Sequence, residues 1–469
     1  MGSLSSLYDL SRGALQADQV ALTTTANNVA NQNTVGYTRQ VVTFASGADR
    51  VTLSDGAIAS ANAPEATVSS ARDRVLEQRV QQQTQLQAGT SAQATALSQL
   101  EAVFSISGSS ATVGSTQIGT AIDGFFSSLT ALTSNPSDSS TRQAVLTAAG
   151  TLAQAFNAGA QQISSVAAGI NSGVASSVTA VNSLTATIAG LNAQIQSQSP
   201  NTDAGALEDQ RQTAIAQLSQ YIGLDQISTE SNGIALTTAS GATLVSGTKS
   251  YDISSAVVGG SAKIYDSTGA DITAGITGGS IGGQLAAQGG ALTTASTALD
   301  ALAYRIATAV NTQNEAGLNG SGSAAGAIFT VPSSSAGAAG ALVVSATSVN
   351  AIASAGSGEG VTGNTNALAL AAIATGTDAN GATIDGSFAA LLSQVGSSSS
   401  SLQAQSTAQQ ATLTALTSQR DSLSAVSLDE EAANLSQYQR SYDAAAKLFS
   451  IVDSVTVTAL NLGEEVAVQ

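Results

Sequence analysis

Two short motifs in this chain could carry chemistry. Gly358–Glu359–Gly360–Val361–Thr362–Gly363 has the G-x-G-x-x-G spacing of a dinucleotide loop, whose glycines let backbone approach a pyrophosphate at a helix N-terminus. Asp429, Glu430 and Glu431 are adjacent carboxylates, hard oxygen donors of the kind that hold a divalent cation. Each motif fails on its surroundings. The glycine motif needs a strand before it, and Ala351–Ala355, in a Gly/Ser-rich stretch, is a poor one. Adjacent helical residues point about 100° apart, so three carboxylates in a row cannot converge on one ion. We read the first motif as a loop and the second as the first turn of a helix.

Composition removes most other chemistry. The 469 residues include no Cys, His or Trp, which excludes disulfides, thiolate or imidazole metal sites, Cys nucleophiles and a Ser–His–Asp triad. Glycoside hydrolysis needs a paired carboxylate cleft, and the scattered acids nominate no pair. We expect no enzymatic activity, no cofactor and no metal. Lys+Arg is 14 and Asp+Glu is 31, so the net charge is 14 − 31 = −17. Nucleic acid and anionic membrane both call for basic patches, so neither is an expected partner. Charged residues are only 10% of the chain, leaving surfaces to Ser, Thr, Gln, Asn and Gly. No apolar run approaches the roughly 18 residues of a membrane span, and the N-terminus lacks the apolar block of a Sec signal.

The elements follow from periodicity. Residues 3–33 read as an amphipathic helix in which Tyr8, Leu15, Leu22 and Val29 recur every seven residues, with Ala14 and Ala21 beside them. An Asn cluster and Thr34–Val35–Gly36 stop it. Residues 38–63 look extended, and Pro64 closes that segment. Helices are expected over about 68–104, 119–134, 139–197 and 204–221, with turns at Asn135–Pro136 and Pro200–Asn201. Glycines Gly150, Gly169 and Gly173 interrupt the third of these softly. Short β-prone runs then mark 223–290: 233–238, 243–245, 251–253 and 263–265. Helix returns at 292–314, two brief strands are placed at 328–331 and 342–344, and the chain is helical from Ser387 with a restart near Ser427. In that last helix Leu435, Tyr442, Phe449 and Thr456 form one heptad column and Tyr438, Ala445 and Val452 the other. Ser427 and Glu430 stand at capping-box spacing.

The fold expected is mainly α with a β insertion, and elongated. Residues 1–33 and 428–469 form paired terminal heptad helices, 34–222 and 291–427 a helical domain with extended segments, and 223–290 a small β-rich outer domain. The terminal heptads can pack on each other or on other copies. Their seams hold more Ala and Tyr than Leu and Ile, so an isolated pair buries little area. We therefore expect both ends to be mobile in the monomer and to order on assembly. The assembly interface is assigned to Tyr8, Leu15, Leu22, Val29, Leu435, Tyr438, Tyr442, Phe449 and Val452. Of these, Leu15, Leu22, Leu435, Tyr442 and Phe449 are expected to be buried.

The run from Ala26 to Gln40 (ANNVANQNTVGYTRQ) resembles the N-terminal signature of bacterial flagellar rod, hook and hook-associated proteins. The matching residues are Asn28, Asn31, Thr34, Gly36 and Tyr37; Val35 stands where the family usually has Pro. At the other end Ser427–Leu435, with Asp429, Glu430, Glu431 and Asn434, is similar to the members that join hook to filament. Asp123–Gly124–Phe125–Phe126, Arg142–Leu146 and Asp209–Gln210–Arg211 fit as well. The likeness fades over about 223–290 and 333–386. It implies a structural protein exported by the flagellum's own type III apparatus, forming a ring of copies at the hook tip. It also implies hook protein and hook-associated protein 3 as partners, and a cytoplasmic chaperone before export. The terminal helices would line the export channel and the β insertion would face solvent. Another hook or rod protein, or a secreted surface adhesin, are the alternative readings.

Overall fold

The computed structural model describes residues 2–34, 36–46, 49–52, 58–61, 64–104, 116–197, 205–228 and 234–466. Val35 and the Pro200–Asn201 turn lie outside them. The chain opens with helix α1 (Gly2–Asn31) and an extended excursion of four strands, β1 (Gln40–Ser46), β2 (Asp49–Thr52), β3 (Ile58–Ala61) and β4 (Pro64–Ser70). β1 pairs antiparallel with β4 and β2 with β3, so the excursion is a folded-back ribbon. Pro64 therefore starts a strand rather than closing the segment. It sits at a strand's first residue, where a missing N–H is tolerated. Val68 belongs to β4, and α2 (Arg74–Val103) begins six residues later than periodicity suggested, capped by the Asp73 carboxylate.

Then come α3 (Gln117–Ser134), α4 (Ser139–Ser197) and α5 (Gly205–Tyr221). The 59 residues of α4 run unbroken through Gly150, Gly169 and Gly173. By length and composition α4 could cross a membrane, against the expectation that no segment would. Here it is the spine of the core. Val145, Leu152, Phe156, Val174, Val181 and Ile188 are fully buried along it, with α3, α5 and the later elements packed on its flanks.

A four-stranded antiparallel meander follows, β5 (Leu224–Ser228), β6 (Ile234–Thr238), β7 (Thr243–Ser246) and β8 (Lys249–Ser250), then a hairpin of β9 (Ser254–Val258) and β10 (Ser261–Tyr265). Tyr251–Ile253, expected as strand, is the connection between them. Ile253 is instead pinned to α4, its N–H donating to Asn182 Oδ1 at 3.0 Å while Asn182 Nδ2 donates to its carbonyl at 2.8 Å. The strands of this region end at Tyr265. From Gly279 the chain is helical: α6 (Gly279–Ala287) passes through a π-turn at Gln288–Leu292 into α7 (Thr293–Glu315). The apolar spacing of 279–290 was hidden by glycines. Those glycines are contact points, since a Cβ on Gly283 would lie 1.9 Å from the Gly89 carbonyl oxygen of α2.

Beyond α7 lie β11 (Phe329–Thr330), α8 (Ala338–Ala341), β12 (Val343–Val344), α9 (Thr365–Ala372), α10 (Ile384–Ser424) and α11 (Leu428–Val466). The G-x-G-x-x-G motif is a loop, closed by Glu359, whose carboxylate accepts the Gly356 N–H. With few charges available, asparagines tie loops to helices. Asn192 holds the Ile234 and Gly247 carbonyls, and Asn311 and Asn314 of α7 hold the 326–353 segment through backbone groups at 2.7–2.9 Å. Each replaces a backbone partner that irregular buried chain lacks.

Candidate assembly interface at the root of the terminal helices

α1 and α11 pack side by side, but along a narrower line than the leucine column suggested. On α1 the buried residues are Ser11, Ala17, Asp18, Ala21, Thr24, Thr25 and Asn28. These small and short side chains let α1 lie close to both α11 and the strands β1 and β4. Leu15 and Leu22 are half-buried at the margin of that line and Val29 is exposed. On α11 Ala445 and Val452 are buried and Tyr438 is half-buried. Leu435 and Phe449 are half-buried and Tyr442 is exposed, so of the five residues expected to be buried none is fully so in the single chain. One aromatic pair crosses the seam, Tyr8 on Phe449 with ring centroids 4.9 Å apart, and Phe44 of β1 covers Tyr438 at 5.9 Å.

The signature residues meet at the lower end of this pair. Asn31 and Thr34 close α1: the Thr34 N–H donates to the Asn31 carbonyl and its hydroxyl to Asn31 Oδ1. Gly36 follows at φ 85°, a conformation that L side chains enter at a cost. A Cβ there would also lie 2.5 Å from Thr213 Oγ1 of α5. The turn sends Tyr37 back so that its hydroxyl donates to Asn28 Oδ1 at 2.8 Å, an oxygen that also accepts the Gln40 N–H at 3.0 Å. Asn28 Nδ2 donates to the Gln40 carbonyl and to Glu431 Oε2, 403 residues away in sequence. Arg39 completes the clasp, with Nε 2.7 Å from Glu431 and a terminal nitrogen 2.6 Å from Glu430.

Two of the three adjacent carboxylates therefore do converge on one cation. Arg39 has a planar fork long enough to span their angular spread, which a single ion lacks. Glu430, placed at capping-box spacing, spends its carboxylate here. Asp429 is exposed and Asn434 half-buried on the first turns of α11.

A second set of bonds fastens the clasp to the helical body. The Thr38 N–H donates to Asp209 Oδ2 of α5 at 3.0 Å, and Arg72 pairs with the other Asp209 oxygen while reaching the Thr38 hydroxyl. Burial pushes the Asp209 carboxyl above its ordinary value, outweighing the Thr38 N–H and the Arg72 guanidinium, which pull it down. The Arg39 N–H donates to the Ser424 carbonyl at the end of α10. Clefts of about 480 and 550 Å³ flank the 31–37 turn. The arrangement is a mechanical joint between a two-helix rod and a helical body. Sequence reading found Asn28, Tyr37, Glu430 and Glu431 by resemblance but missed Arg39 as the partner of the two glutamates, and Thr38 and Arg72 as the partners of Asp209. An Arg in a chain this poor in cations was the available signal.

The chain is similar to known proteins over most of its length. Residues 97–329 match the family described as the flagellar hook-associated protein FlgK helical domain. Residues 9–38 match the flagella basal body rod protein family, and residues 417–462 the C-terminal family of the flagellar basal body rod FlgEFG proteins. The chain is 28% identical to flagellar hook-associated protein 1 of Bacillus subtilis over 97% of both chains. It is 29% identical to that of Escherichia coli over 70% of this chain, and there it spans 60% of the relative's length. A solved structure titled as the flagellar hook junction protein FlgK from Burkholderia pseudomallei superposes with a TM-score of 0.66 at 20% identity. It covers 74% of this chain and all of the other, a likeness of fold.

Proposed function

Starting from the fact that this chain belongs to the family of flagellar hook-associated protein 1, we propose that it is the structural axial protein of the hook–filament junction in the bacterial flagellum. It assembles with other flagellar axial proteins. More finely, copies form a ring seated on hook protein, offer the next surface to hook-associated protein 3, and are held by a cytoplasmic chaperone before export.

One observation supports an assembling role above the rest. α11 carries a second apolar stripe outside the intramolecular seam. Ala444, Leu448, Ile451 and Val455 follow i, i+4, i+7, i+11 spacing, and all are exposed, Ile451 to 61%. Such a row on an otherwise polar helix calls for a neighbour. Tyr442 on α11 and Val29 on α1 are exposed as well. Covering three large side chains contributes about 1–2 kcal/mol each, and this adds to a seam too thin to hold a rod alone. The interface residues divide accordingly. Tyr8 and Phe449 join α1 to α11 within one copy, Tyr438 packs on Phe44 of β1 and Val452 is buried, whereas Leu15, Leu22, Val29, Leu435 and Tyr442 remain available to neighbours with the second stripe.

The test is Leu448→Ser with Ile451→Ser. Purified monomer should keep its helix content, and cells carrying only this variant should build hooks without filaments. Normal motility of that strain would overturn the proposal.

A further inference from the structure

The face of α1 that packs on α11, β1 and β4 holds Ser11, Asp18 and Thr25 at heptad spacing, all buried. A buried polar column is costly unless its members find partners. Ser11 does so within its own helix, its hydroxyl donating to the Leu7 carbonyl at 2.8 Å. Asp18 has no such recourse. An ionised carboxylate only accepts, and the N–H groups around it are spent on the helix. It is 6% exposed and makes no hydrogen bond or ion pair among the described residues. β1 and β4 contain no Lys or Arg to meet it. The cations of α11 are Arg440 and Lys447, both exposed and neither in an ion pair among the described residues. Arg440 bonds Ser436, one turn back on its own helix.

Arg440 nonetheless stands at the height of Asp18. The contacts Tyr8 to Phe449 and Asn28 to Glu431 fix α1 and α11 as antiparallel. Asp18 is midway between Tyr8 and Asn28, and Arg440 is midway between Glu431 and Phe449. At about 100° per residue, the run from Glu431 to Arg440 turns the side chain about 180° away from α1, so the two groups of one copy cannot meet. Arg440 lies instead one turn before Ala444 and on the same face. It is therefore the lower end of the exposed stripe Ala444, Leu448, Ile451 and Val455. Asp18 in turn lies between Leu15 and Leu22 at helix-neighbour spacing, the leucines that are half-buried at the margin.

We propose that the Arg440 guanidinium of one copy pairs with the Asp18 carboxylate of the next copy in the ring. This rests on the assembly reading and names what the exposed stripe packs against. Copies related by rotation about an axis along the rods meet at equal heights. The apolar stem of Arg440 lies across Leu15 and Leu22 and carries its charged fork to the carboxylate. Before a neighbour arrives, the unpartnered carboxylate keeps α1 loosely packed.

In the experiment, purified full-length chain is bound to isolated hooks bare of filament, and the concentration giving half-occupancy is measured. Asp18→Asn and Arg440→Gln should each raise it roughly tenfold, the loss of one charge-assisted hydrogen bond. The double variant should lose no more than either alone. Lys447→Gln, on the same face two turns nearer the tip, should bind as the parent does. In the free monomer Asp18→Asn should act in the opposite direction and slow amide exchange over residues 11–25, because it removes an unpartnered buried charge. Faster exchange there, losses that multiply in the double variant, or parent-like binding by Arg440→Gln overturns the proposal. If the parent chain does not bind hooks, the assembly reading falls and this inference with it. If the parent binds and Arg440→Gln binds as tightly, this inference alone falls.

Discussion

Replacing Glu431 by alanine tests whether the clasp holds the terminal helices to each other. Its side chain is 2% exposed and accepts from Arg39 Nε at 2.7 Å and Asn28 Nδ2 at 3.2 Å. Removing one member of a buried ion pair costs about 3–5 kcal/mol when the other is left stranded. Here the loss is smaller. Arg39 is 23% exposed and keeps Glu430 at 2.6 Å, while Asn28 keeps the Gln40 carbonyl at 2.8 Å. We expect about 2 kcal/mol for Glu431→Ala, and about 1 kcal/mol for Glu431→Gln, which keeps a neutral acceptor for one donor. Glu430→Ala removes a pair whose acid is 61% exposed and should cost at most about 0.5 kcal/mol. Chemical denaturation gives the totals, and amide exchange over residues 24–40 and 428–438 gives the location. Equal losses in Glu431→Ala and Glu430→Ala would refute the clasp.

Gly36→Ala should cost about 1–2 kcal/mol for left-handed backbone plus a steric part against Thr213. Only the steric part should vanish in a Thr213→Ala background, as denaturation of the double variant would show. Gly283→Ala puts a methyl group into the backbone of Gly89; a loss of about 3 kcal/mol, the upper range for overpacking, is expected in thermal unfolding. Asp209 has a folded value raised by burial above the ordinary 3.8. A raised carboxyl contributes stability that is complete below the unfolded value and fades as pH rises through the folded one. The stability of the parent chain relative to Asp209→Asn should therefore grow as pH falls from 7 towards 4, measured by denaturation at each pH.

Local signals carried far in this chain. Ser139–Ser197 and the Leu428 restart were legible because heptad spacing, Asn135–Pro136 and the Ala425–Ser427 break are written in neighbouring residues. Pro64 misled, since proline can end one extended segment or begin the next, and only pairing with Ser46 decides. Helix α6 was hidden because glycine lowers helix propensity, while packing against Gly89 rewards it. Within a single copy the buried line of α1 differs from the leucine column for a related reason. Hydrophobicity favours Leu15 and Leu22, but close packing of α1 on its neighbours buries Ser11, Ala21 and Thr25. The signature residues were recognisable, yet their purpose depends on contacts such as Asn28 to Glu431, which no spacing rule reaches.

Hydrogen exchange on purified monomer and on the assembled polymer, read at residues 7–31 and 428–458, tests the central claim most directly. The thin seam and the uncovered stripe of α11 predict rapid exchange along both helices in the monomer, slowing by about a hundredfold or more on assembly, with the clasp the slowest part before it. Equal protection of the two helices in monomer and polymer would contradict a rod completed by its neighbours.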